Sequence, residues 1–107
     1  MSGGGGGGGD WIPTNNDSCE KLTEVLPLNS PNPAVLRQLK LGDILDIESR
    51  TAGSSVAVVA LFKGAVAGTI TSAIFQRIAE CIEGGFEYVA VVLELQGAVC
   101  KVRVRLK

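Results

Sequence analysis

Lys101, Arg103 and Arg105 alternate with apolar residues in "CKVRVRL", close to the end of a 107-residue chain. On a strand this alternation sets the three cations on one face about 7 Å apart, two strand steps each. That advance is similar to that of a single-stranded nucleic-acid backbone, so the row is a candidate phosphate-binding surface. Tyr88 falls opposite Arg105 across the expected hairpin and is placed to stack a base. The competing use is structural, an edge strand that carries charge to block edge-to-edge aggregation.

The other reactive side chains point away from catalysis. The chain has no histidine, and so lacks the usual general base and the usual metal ligand. Asp43, Asp46 and Glu48 form one carboxylate cluster and Glu80, Glu83 and Glu87 another. Alternation and helical spacing put Asp46, Glu48, Glu80 and Glu83 on solvated faces. Cys19, Cys81 and Cys100 form no CxxC pair, so neither a metal site nor a cofactor is expected. An odd, sparse cysteine count fits a reducing compartment, with Cys81 and Cys100 packed as small apolar residues. The seven-glycine run near the N-terminus lacks the Lys-Ser/Thr pair of a phosphate loop, and "GAVAGT" lacks it too. The expectation is a protein that is not an enzyme.

These residues need a frame to hold them. Residues 1–18 are rich in glycine and turn formers, which predicts a disordered arm in which Trp11 is idle. Residues 19–107 then form a single small domain. "KLTEVLPLNS" (21–30) reads as a first strand. Asn32 and Pro33 read as N-cap and first position of a short helix carrying Val35, Leu36 and Leu39. "GDILDIES" alternates as a half-buried strand with Leu45 and Ile47 inward, and "VAVVALF" (56–62) is apolar on both faces, as a central strand would be. Lys63-Gly64 turns into "AVAGTI". Thr71 or Ser72 is placed to cap a helix over about 72–83, whose stripe is Ile74, Ile78, Cys81 and Ile82. Gly84 and Gly85 end it with positive φ.

The closing hairpin is predicted to turn at Gln96-Gly97. That register faces Leu95 with Ala98, Leu93 with Cys100, Val91 with Val102 and Val89 with Val104 on the core side. On the outer side it faces Tyr88 with Arg105. The order is β-α-β-β-β-α-β-β, an α+β fold built on a small, curved, mostly antiparallel sheet or partial β-barrel with two helices. No stretch reaches the roughly 20 apolar residues of a membrane span, and the N-terminal residues carry no secretory pattern. A cytoplasmic protein is expected. The formal net charge of −1 argues against coating nucleic acid through bulk charge.

From about Leu41 onward the run "LKLGDILDIES", "VAVVALFKGAVAGTI", "SAIFQRIAECIEGG" and "FEYVAVVLELQGAVCKVRVRL" resembles a HIRAN domain. Gly42, Asp43, Gly64, Gly68 and Gly84 take places that correspond to that family's pattern. The resemblance implies a small barrel and a role at single-stranded nucleic acid or DNA ends. The family's DNA-end motif is replaced here by "TAGSSVAVV", so none of its DNA-binding residues carries over. Lys101, Arg103, Arg105 and Tyr88 remain the candidate nucleic-acid site. The alternative is a protein-interaction or self-associating module, a homo-oligomer included, that uses a sheet edge or the outer face of the hairpin.

Overall fold

The computed structural model of the chain describes residues 19–107. The arm expected over residues 1–18, with Trp11, lies outside the described residues. The elements run β1 (Thr23–Pro27), α1 (Pro33–Leu36), β2 (Ile44–Ala52), β3 (Ser55–Phe62), β4 (Ala65–Ile70), α2 (Phe75–Glu83), β5 (Tyr88–Gln96) and β6 (Val99–Leu106). This is the order read from the sequence. Six strands make one antiparallel sheet in the order β1-β6-β5-β2-β3-β4.

The sheet is curved and open, and its two outer members meet at one point. Asn29, just past β1, exchanges both backbone hydrogen bonds with Thr69 of β4 at 2.8 Å, and the Asn32 N–H reaches the Ala67 carbonyl at 2.9 Å. Gly68 makes this approach feasible: a Cβ there would stand 2.9 Å from Leu28 Cβ and 3.1 Å from the Asn29 carbonyl. The second glycine of "GAVAGT" therefore serves a close crossing of two chain segments.

The concave face holds the core. Leu26, Leu45, Val58, Ile70, Val92, Cys100, Val102 and Val104 line it, and Ile78 and Cys81 of α2 pack over β2 and β3. The expected helical stripe is present, with Ile78, Ala79 and Cys81 buried and Ile74 and Ile82 at its margins. Asn32 caps α1 as read, its side chain accepting from the Ala34 N–H at 3.0 Å, with Pro33 next.

Three local readings are corrected. α2 begins at Phe75 behind Ile74 with no side-chain cap. The Thr71 hydroxyl is engaged by the Asn29 side chain across the seam, and the buried Ser72 hydroxyl has no protein partner. At the far end only Gly85 has positive φ (103°), while Gly84 does not. The Phe86 N–H closes back on the Cys81 carbonyl at 3.1 Å, which satisfies the last turn.

Third, Cys81 is disulfide-bonded to Cys19, 62 residues away, where an apolar free thiol was expected. A disulfide persists in oxidising surroundings, which sits against the reducing compartment inferred from the cysteine count. Cys100 is fully buried and free, and burial pushes its thiol pKa up, so it packs as the small apolar residue expected of it. No helix among the described residues is long and apolar enough to cross a membrane.

Candidate binding face

The hairpin turns one residue later than predicted. Gly97 takes φ of 60° and Gln96 pairs with Val99, then Leu95 with Cys100 and Glu94 with Lys101. A bulge at Leu93 shifts the register, after which Val92 pairs with Val102, Ala90 with Val104 and Tyr88 with Leu106. The inward set of β5 is therefore Tyr88, Ala90 and Val92, and Val89 and Val91 lie on the opposite side of the sheet, Val89 buried there and Val91 half-buried. Gly97 supplies the left-handed backbone, which favours turning there, and the bulge absorbs the extra residue.

The bulge removes Tyr88 from the candidate site. Its side chain is 2% exposed, and its hydroxyl donates to the Cys19 carbonyl at 2.6 Å. Burial pushes the phenol pKa up, against a smaller lowering from the Arg77 charge. Tyr88 thus offers no stacking surface. It locks the residue that opens the described chain onto the core, beside the disulfide that holds the same residue to α2.

The cations do share one face. Cys100, Val102 and Val104 are buried on the concave side, so Lys101, Arg103 and Arg105 stand on the convex side as expected. β6 is nevertheless an interior strand, with β1 on one side and β5 on the other. Its charges do not guard an edge, and the structural alternative to a binding role takes a different form. Lys101 lies 3.7 Å from Glu94 in a half-exposed ion pair, the kind worth at most about 1 kcal/mol. The Arg105 guanidinium donates to the neighbouring Leu106 carbonyl at 3.0 Å. Arg103 is exposed and has no ion-pair partner among the described residues.

Strand register fixes what surrounds these cations. One row runs Val25, Arg103, Val91, Ile44 across β1, β6, β5 and β2. The next runs Thr23, Arg105, Val89, Asp46. Val25 is 45% and Ile44 55% exposed, Val91 is half-buried, and Leu41 just before β2 is 66% exposed. The convex face therefore sets Arg103 among exposed aliphatic side chains. The sequence reading missed this, because the pairing of β1 and β2 with the hairpin joins residues far apart in the chain.

Elsewhere among the described residues, the clefts hold polar groups that are largely paired with one another. Asp46, Glu48, Glu87 and Lys107 line one cleft, and Glu48 pairs with Arg50 at 2.9 Å and Glu87 with Lys107 at 3.6 Å. A second cleft, between α1 and the hairpin tip, is lined by Pro33, Leu36, Leu95 and a single charged residue, Arg37. Among the described residues no cluster of histidine, cysteine and carboxylate side chains is arranged to hold a metal ion. Lys63 lies 5.2 Å over the Phe62 ring, a local contact within its own turn. No protein-family model, curated protein or solved structure matches the chain.

Proposed function

We propose that this chain is a non-catalytic binding domain that engages a protein surface through the convex face of β1, β6, β5 and β2. The observation that carries this reading is the row Val25, Arg103, Val91 and Ile44, in which exposed aliphatic side chains flank a cation with no ion-pair partner among the described residues. Protein interfaces enrich arginine and surround an apolar centre with a polar rim, and this face offers both. A photoreactive residue at Ile44 should give a discrete, nuclease-resistant protein adduct in native extract, and one at Glu20, on another part of the surface, should not. Equal adducts at both positions, or adducts that nuclease removes, would overturn this reading.

A second reading keeps the nucleic-acid role, for a single strand or a DNA end. Arg103 and Arg105, about 7 Å apart on one face, and the HIRAN-like run of residues favour it. The loss of Tyr88 as a stacking surface and the Glu94 carboxylate beside Lys101 weaken it. It requires binding to a short single strand or recessed end that falls steeply between about 50 and 200 mM salt. No binding at the lower salt would end it.

A further inference from the structure

The convex face carries its charges in two columns. Arg103 and Arg105 stand on β6, Asp46 stands exposed on β2, and β5 lies between them with Val89 and Val91. Lys101 above and Glu48 below are already matched, by Glu94 and Arg50. Asp46 has no ion-pair partner among the described residues. In the row Arg105, Val89, Asp46 a cation and an anion therefore flank a covered aliphatic residue, Val89 at 3% exposure, and stand about 9.5 Å apart at two strand spacings.

We infer that the partner for this face is a second copy of the chain, docked face to face about a two-fold axis running along β5. This rests on the proposal that the convex face is the binding surface, and it names the occupant. A two-fold axis along β5 exchanges the β6 and β2 sides of the face while keeping each row level. It sets Arg105 of each copy over the partner's Asp46, Val91 over the partner's Val91, and Arg103 over the aliphatic surface around the partner's Ile44. An axis across the strands would instead set β6 over β6 and oppose the cations. Charge thus selects one of the two simple ways in which this face can meet itself.

The size of the face sets the strength. Four strands and about four residues along each span roughly 14 by 13 Å, far short of the ~800 Å² per partner of a standard interface. Association is therefore weak, reversible and salt-sensitive.

Sedimentation velocity over rising protein concentration tests this on the full chain. The native protein should show a monomer–dimer equilibrium that shifts toward monomer as salt is raised. Arg105→Glu and Asp46→Lys should each weaken dimerisation by about tenfold or more, while an equimolar mixture of the two variants should recover dimer. Both positions are exposed, and matching thermal transitions would show that both variants fold. A native protein that stays monomeric, charge reversals that leave the equilibrium unchanged, or a mixture that fails to recover dimer would each overturn the inference. A monomeric native protein whose Ile44 probe still captures another protein would sink the self-pairing while leaving the convex face as the docking surface.

Discussion

Opening the Cys19–Cys81 bond should cost this domain much of its stability. The bond closes a loop with a sequence separation of 62 residues. In the chain-entropy treatment, ΔS ≈ −2.1 − 1.5R ln n gives about 4 kcal/mol at 25 °C for a loop of that size. Both cysteines are buried, at 5% and 2% exposure, so the released thiols stay in an apolar setting and gain little compensation from solvent. For a domain of roughly 90 residues each kcal/mol moves Tm by about 5 °C, and the expected fall is therefore about 20 °C. Thermal unfolding followed by circular dichroism, with and without a phosphine reductant, reads it directly. Cys19→Ser/Cys81→Ser should reproduce the reduced transition and be indifferent to reductant. Thiol titration of the denatured, unreduced protein should count one free cysteine, Cys100. A count of three free thiols without reductant, or a Tm unmoved by reduction, would refute the loop-closure reasoning.

Two further substitutions test the core and the seam. Tyr88 is the chain's one tyrosine, so phenolate absorbance reports on it alone. Burial raises its pKa in the folded state, so the fold binds the proton more tightly than the unfolded chain. Stability is then whole below the unfolded value of 10.0 and falls as pH rises beyond it. Phenolate should appear together with alkaline unfolding, and free titration near pH 10 in the folded protein would place the ring in solvent. Tyr88→Phe leaves the Cys19 carbonyl without its donor and should cost about 1–2 kcal/mol in urea denaturation. Gly68→Ala forces a Cβ against Leu28 and the Asn29 carbonyl. It should cost about 1–3 kcal/mol and speed amide exchange at Asn29 and Thr69, whereas a neutral result would mean that the seam is loose.

What could be read from the sequence follows from how strongly each segment distinguishes its two faces. In "CKVRVRL" every outward residue is charged, and burying that set would be prohibitive, so the β6 cations were placed correctly. In "YVAVVLEL" both faces are apolar over Val89–Val92, alternation carries no information, and nothing in the run marks the bulge at Leu93. That bulge, rather than the later turn, moved Tyr88 from the expected outer face into the core, because a turn displaced by one residue leaves each side chain on its face. Interior placement of β6 was hidden because β1 joins it from some eighty residues earlier. The Cys19–Cys81 pairing was equally hidden, since spacing among three cysteines does not determine connectivity. At α2 the periodicity was clear but the cap was not, because Asn29 across the seam occupies the Thr71 hydroxyl.

The most direct test of the convex face is a map of backbone amide shifts by NMR as the protein is concentrated from the micromolar to the millimolar range. The shifts should cluster on Val25, Ile44, Asp46, Val91, Arg103 and Arg105, four strands that are neighbours only in the folded sheet, and salt should reverse them. Shifts gathered instead on α1 and the hairpin tip around Leu36 and Gln96, or no concentration dependence with a monomer throughout, would contradict self-pairing through this face.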